Sequence, residues 1–261
     1  MLFLIPAMTI ALAPLRVYVL DGGHAILNDS SLLSDIGEAG GKPVELTNPC
    51  FLIRHGSRWL MWDTGFADSY VGHPFTSPAA RIWKAETMPA QLRRLGLTAR
   101  NVAFVALSHP HFDHAGCFGQ FGASTWIVER KDLAYGQLTP PRISVDPILL
   151  RRPKGAKLKV IDGDYDVFGD GTVRILTTPG HTPGHACLLI RLPKTGPILL
   201  SGDAFPTRAN FDHDWVPSIN ENRSESLASM SRIKSLCKTL GARLIIQHAP
   251  EDIRTLPRIL D

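Results

Sequence analysis

Four cysteines in 261 residues, with no C-x-x-C pair among them, leave no framework for a disulfide scaffold or a zinc knuckle. Cys187 and Cys237 stand in apolar segments and read as small core residues. Cys117 follows a histidine cluster closely enough to neighbour a metal, but better ligands already fill the places around it. No apolar run is long enough to span a bilayer, so stable membrane insertion is not expected. There is no low-complexity or linker-like tract, and the length suits one large domain. The net charge is +4, yet the basic residues look scattered, with short pairs such as Arg93-Arg94 and Arg151-Arg152. No basic stripe is interleaved with aromatic residues, so no nucleic-acid partner is expected.

Residues 2–12 form an apolar run ending in Ala11-Leu12-Ala13, like the hydrophobic core and small-residue cleavage site of a secretory signal. No Lys or Arg precedes it, and Pro14 would be the first residue after the cut. The expectation is a signal-peptide remnant at 1–13, one folded domain at 14–261, and a periplasmic or secreted location. A cytoplasmic protein with an ordered N-terminal arm is the alternative.

What the chain does have is concentrated chemistry. Ser108-His109-Pro110-His111-Phe112-Asp113-His114-Ala115-Gly116 packs three imidazoles and a carboxylate directly behind the apolar run Val102–Leu107, which reads as a buried strand. Neutral imidazoles with a carboxylate are the ligand set of borderline divalent metals. Upstream, Leu15–Leu20 reads as a strand ended by Asp21-Gly22-Gly23, residues 28–48 as loop, and Cys50–Arg54 with Arg58–Trp62 as a hairpin. That hairpin delivers Asp63 at a strand end, placed to orient a metal-bound histidine through its second ring nitrogen. Residues 66–87 lack periodicity but hold Phe66, Tyr70, Phe75 and Trp83, an aromatic set suited to a substrate pocket or to simple packing.

Further on, Thr177-Thr178-Pro179-Gly180-His181-Thr182-Pro183-Gly184-His185 is a tight Pro/Gly loop at the end of the strand Thr172–Leu176. His181 sits at its apex, and His185, opening the next strand, reads as support for a ligand. The apolar run Pro197–Leu200 leads to Asp203, and Arg243–Ile246 leads to His248. Four apolar strands thus each end in a metal-competent side chain. A helix from about Glu221 to Leu240 carries Leu227, Met230, Ile233, Leu236, Cys237 and Leu240 on one face, with Gly241 as its stop. His213, in a polar and aromatic loop, reads as a surface residue.

This order of residues resembles the metallo-β-lactamase superfamily, and within it the N-acyl homoserine lactone lactonases. The resemblance covers nearly the whole chain from Leu15. It implies an α+β fold, a single-domain four-layered αββα sandwich, with a hydrolase site at one edge of its two sheets. It further implies two divalent ions, zinc first, with iron, cobalt or manganese as alternatives. His109, His111 and His181 would hold one, Asp113, His114 and His248 the other, and Asp203 would bridge them. A metal-bridging hydroxide would open the lactone, with Asp113 carrying the proton, Asp63 and His185 supporting the ligands, and Phe66, Phe75, Trp83 and Phe112 lining the substrate pocket. The implied partner is a small ester or lactone with an apolar tail, and the chain could pair as a homodimer. The lactonases commonly carry a tyrosine three residues after the bridging aspartate, where this chain has Pro206, which donates nothing. A phosphotriesterase of the methyl parathion hydrolase type, or another ester or thioester hydrolase on the same site, is the alternative.

Overall fold

The computed structural model describes residues 14–261, so the signal-peptide reading of 1–13 lies outside the described residues. The first sheet and the helices between its strands come in the order β1 (Leu15–Leu27), β2 (Val44–His55), β3 (Arg58–Trp62), β4 (Phe75–Thr76), β5 (Ala80–Trp83), α1 (Met88–Arg94), β6 (Phe104–Ala106), α2 (Phe112–Ala115), β7 (Thr125–Glu129), α3 (Arg130–Tyr135) and β8 (Lys157–Ile161). Its strands lie in the order β4-β5-β1-β2-β3-β6-β7-β8, and the C-terminal β14 (Ile259–Leu260) also pairs with β1. The second sheet takes β9 (Tyr165–Asp166), β10 (Val173–Thr177), β11 (Ala186–Leu192), β12 (Gly196–Leu200) and β13 (Arg243–Ile245), in the order β13-β12-β11-β10-β9. Three helices follow this sheet or interrupt it: α4 (Arg208–His213), α5 (Arg223–Leu240) and α6 (Pro250–Ile253).

Alternation of side chains along the strands sets the layers. Phe51, Ile53, Leu60, Trp62, Ala106 and Ile127 of the first sheet meet Val173, Ile175, Leu188, Ile190, Ile198 and Leu200 of the second, which makes the central core. The intervening residues Cys50, Leu52, Met61, Val105 and Trp126 face the other way and are covered by Met88 and Leu92 of α1 with Phe118 and Phe121. On the far side, Cys187, Leu189, Leu199 and Ile246 lie under Met230 and Ile233 of α5. Helix, sheet, sheet, helix is therefore the αββα arrangement expected. It also explains why Cys50–Ile53 reads as an unbroken apolar run, since that strand is buried on both faces.

Three expectations need correction. The Asp21-Gly22-Gly23 stretch does not end the first strand: β1 continues to Leu27 and absorbs the glycines as an irregularity between Asp21 and His24. The reading of 28–48 as loop fails from Val44, where β2 already pairs with Leu27. The 66–87 stretch is not free loop, because β5 pairs antiparallel along His24–Leu27.

Candidate metal centre

Strand directions bring the functional side chains to one edge. β3, β6 and β7 are mutually parallel, and β13 is parallel to β12. β10 and β12 are both antiparallel to β11 and so run the same way as each other. After these strands the chain presents Asp63, the His109–His114 cluster, His181, Asp203 and His248. All seven expected ligands fall into two groups, His109 with His111 and His181, and Asp113 with His114, Asp203 and His248, the donor atoms within each group lying inside 4.8 Å of one another.

The contacts within each group are those of a cation site. His181 Nε2 lies 3.2 Å from His109 Nε2 and 3.1 Å from His111 Nδ1, and His114 Nε2 lies 3.3 Å from His248 Nε2. Their far ring nitrogens are already engaged: His181 Nδ1 donates to Asn220 Oδ1 at 2.7 Å, His248 Nδ1 to the Thr47 carbonyl at 2.7 Å, and His114 Nδ1 faces Asp63 Oδ2 at 3.1 Å. A neutral imidazole that donates at one nitrogen offers a lone pair at the other. Lone pairs therefore converge where only a cation satisfies them. Asp203 spans the groups, with Oδ1 3.1 and 3.0 Å from Nε2 of His114 and His248, and Oδ2 3.4 and 3.8 Å from Nε2 of His181 and His109. Its Oδ1 is buried and has no hydrogen-bond partner among the described residues, an orphan that a divalent ion fits.

Electrostatics point the same way. Burial and the neighbouring His114 hold His109 well below the ordinary histidine value, and burial beside His181 pushes His111 down to about 3. Burial raises a carboxyl, but the His248, His114 and His109 rings overcome it at Asp203 and keep it ionised. His109, His111 and His181 are thus held neutral, as ligation requires, whereas at His114 and His248 burial lowers the ring but the Asp113 and Asp203 carboxylates overcome it and favour the charged form, a positive charge that a bound divalent ion would replace.

Around these groups lies a frame of hydrogen bonds. Asp63, at φ 57°, accepts from Ser108 N at 2.7 Å and from Gln247 Nε2 at 2.9 Å besides facing His114. Gln247 Oε1 in turn accepts from Gly202 N at 3.0 Å. His185 does not reach a metal group; its Nε2 accepts from Asp203 N at 2.9 Å while Nδ1 lies 2.9 Å from the Thr178 carbonyl. Gly202 makes that contact possible, since a Cβ there would stand 2.5 Å from His185 Nε2. Asp132 of α3 clamps the His181 loop, accepting from Thr182 Oγ1 at 2.8 Å and Gly184 N at 2.7 Å, and its burial pushes the carboxyl up to about 7. Sequence reasoning missed Asn220, Gln247, Thr47 and Asp132. Only Gln247 carried a signal, its place one residue before His248.

The aromatic set divides. Phe112 lines a cavity of about 420 Å³ beside the metal groups, together with Tyr70, Ser144, Val145 and Leu149. Phe66 is buried behind it, 5.6 Å from the Phe112 ring and packed on Ala25, Leu46 and Ile82. Phe75 and Trp83 do not join that cavity: Phe75 is 48% exposed on β4, and Trp83 stacks on His24 at 5.2 Å. Pro206 is buried and offers no donor, whereas Tyr70 and Ser144 have hydroxyls with no hydrogen-bond partner among the described residues. Cys117 is no ligand; its Sγ lies 3.3 Å from Lys84 Nζ and from Asp68 Oδ1. His213 is an exposed residue stacked on Trp215.

With this geometry in place, comparison with known proteins is consistent throughout. The chain is 29% identical over 251 residues to an N-acyl homoserine lactonase, AttM, of Azorhizobium caulinodans, covering 91% of this chain and 94% of that one. It is 30% identical over 230 residues to an N-acyl homoserine lactonase of a Bacillus species, covering 85% and 88%. An N-acyl homoserine lactone hydrolase solved with the product N-hexanoyl-L-homoserine at its catalytic metal centre superposes with a TM-score of 0.81 at 27% identity, covering 94% of this chain and 97% of that one. The model of the metallo-beta-lactamase superfamily matches residues 44–237, most of the chain, and with the αββα layers and the paired His/Asp groups it establishes that this protein belongs to that superfamily.

Proposed function

We propose that the chain is a dinuclear metal-dependent hydrolase that opens the lactone ring of N-acyl homoserine lactones. The observation that carries this is the pair of His/Asp groups joined by Asp203, in a chain whose relatives of nearly equal length are lactonases. His109, His111 and His181 would hold one ion and Asp113, His114 and His248 the other, with Asp203 between them. Zinc suits this set of imidazoles and carboxylates best, and iron, cobalt and manganese share its ligand preferences. Two such ions, when bound, supply Lewis acidity toward the carbonyl and acidify a water to near neutral pKa.

The chain's own residues do the rest. Asp113 is the most open carboxylate of the site, 19% exposed at its side chain against 9% for Asp203, with Oδ2 3.4 and 3.5 Å from Nε2 of His114 and His248. It takes the proton from the attacking water and returns it to the homoserine oxygen as the ring C–O bond breaks. The cavity lined by Phe112, Val145 and Leu149 takes the apolar acyl tail. Tyr70 and Ser144 supply hydroxyl donors at its rim in place of the one that Pro206 lacks.

The deciding experiment is a hydrolysis panel on metal-analysed protein: acyl homoserine lactones, aryl esters, glutathione thioesters and a phosphotriester. Turnover of the lactones above the others is expected. Strong phosphotriester turnover with none on any lactone would overturn the assignment.

A further inference from the structure

Between α3 and β8 the chain runs through residues 136–156 without a named helix or strand. In this stretch and the following strand stand Arg142, Arg151, Arg152, Lys154, Lys157 and Lys159, all exposed, against one carboxylate, Asp146. The whole chain is only +4, so this segment holds more than its entire excess of positive charge. Arg142 has a carboxylate neighbour, Glu221 at 4.0 Å, whereas the other five make no ion pair among the described residues. The same segment exposes large apolar side chains: Ile143 at 75%, Ile148 at 66%, Leu138 at 42% and Leu158 at 40%. Ile143 stands at the tip of a turn closed by Val145 N donating to the Arg142 carbonyl at 3.1 Å, with Ser144 in the left-handed region at φ 62°. Arg151, Arg152 and Leu158 line one cavity, which places these basic and apolar side chains side by side.

The segment is also a wall of the site. Phe112 N donates to the Ser144 carbonyl at 2.8 Å, Val145 bridges to His111, and Ser144, Val145 and Leu149 line the cavity beside Phe112. Exposed isoleucines in one stretch with the unpaired cations Arg151, Arg152 and Lys154 mark a surface that gains by entering an apolar phase beneath a layer of negative charge.

We propose that residues 138–159 form a peripheral docking face for anionic phospholipid membranes. Ile143 and Ile148 enter the interface, and Arg151, Arg152 and Lys154 meet the headgroup phosphates; Lys157 and Lys159 project to the other side of β8, Lys159 over the Tyr165 ring, and take no part. This is adsorption, not insertion, and no helix of the described residues is long and apolar enough to cross a membrane. Docked in this way, the mouth of the cavity opens at the depth where an acylated substrate partitions. That last consequence, unlike the docking itself, rests on the lactonase reading.

Cosedimentation of the full chain with vesicles tests it, comparing phosphatidylcholine alone with phosphatidylcholine containing phosphatidylglycerol. Binding to the anionic vesicles is expected, weakening as salt screens the charge. Replacing Arg151→Gln with Arg152→Gln should weaken it by roughly tenfold or more, each cation near such a surface contributing about fivefold. Ile143→Ser with Ile148→Ser should weaken it too, with melting temperature unchanged because both side chains are exposed. No binding to anionic vesicles, equal binding to both kinds, or variants that bind like the parent would overturn the proposal. So would a dimer in light scattering that the isoleucine substitutions dissolve, for the face would then belong to a second copy of the chain. Hydrolysis of a short-chain soluble ester, read in parallel, reports on the site alone, so failure of docking and failure of the hydrolase reading give different results.

Discussion

At the scale of single residues, the proposed site separates side chains that would donate to metal from those that would aim them. Asp113 belongs to the first kind and has an oxygen left for proton transfer, so Asp113→Asn should keep the ions, since an amide oxygen still ligates, while kcat falls by about 10²–10⁴. Metal analysis alongside kcat decides it, and full activity with both metals present would remove Asp113 from the proton path. Asp63 belongs to the second kind, and Asp63→Ala should lower metal affinity by about 10–100-fold, measured by competition with a chelator. The Asp132 carboxyl gives a test by pH. Burial raises it to about 7 in the folded chain, above the unfolded value of about 4, so folding takes up a proton between the two. Its contribution to stability is therefore fully present below pH 4 and is lost as pH rises through 7. Asp132→Asn cannot titrate, so the unfolding free energy of the parent should fall relative to that variant from pH 4 to 7 and level off above. A difference flat across that range would show that Asp132 is an ordinary exposed-type carboxylate.

At the scale of elements, the expected ligands were legible because they follow apolar strands within a few residues, and strand ends are where a sheet edge collects chemistry. Asp63 was legible for the same reason. Asn220, Thr47 and Asp132 were not, because nothing local in the sequence distinguishes them; they act through contacts with residues 39, 201 and 50 positions away, which only the packed chain creates. Length of strand was misjudged for a similar reason. Glycine after Asp21 signals a turn locally, yet the pairing of β1 with both β2 and β5 carries the strand through it. Composition alone does not say which of the aromatic rings line the cavity beside Phe112: Tyr70 does, and Phe75 and Trp83 do not. The loop bearing His181 makes a sharp prediction at this scale. Gly180 has φ 133°, and a Cβ there would lie 2.3 Å from Ser226 N in the first turn of α5. Backbone cannot yield as a side-chain tip can, so Gly180→Ala must push the loop off the helix. Lower metal occupancy, read by metal analysis after dialysis, and a lower melting temperature are expected together.

At the scale of the whole molecule, the site is a seam between the two sheets. His109, His111, Asp113 and His114 follow strand β6 of the first sheet, while His181, Asp203 and His248 follow strands of the second. Without cations, the rings of His109, His111 and His181, held neutral by burial, face one another at 3.1–3.2 Å with lone pairs inward, so this side of the seam is held by groups that do not attract each other. The large central core keeps the sheets together, which separates this chain from small metal domains that unfold when stripped. Chelation should therefore lower the melting temperature without abolishing the cooperative transition. A ligand that binds the folded state alone stabilises by about 2.7 kcal/mol at a hundredfold excess over Kd, and two ions add their effects. For a domain of this size each kcal/mol corresponds to a few degrees, about 2–4 °C, so a fall on the order of 10 °C or more is expected. Readdition of zinc should restore it. Calorimetry on chelated, parent and reloaded protein measures this, and an unchanged melting temperature on complete metal removal would mean that the seam is held by the protein groups alone.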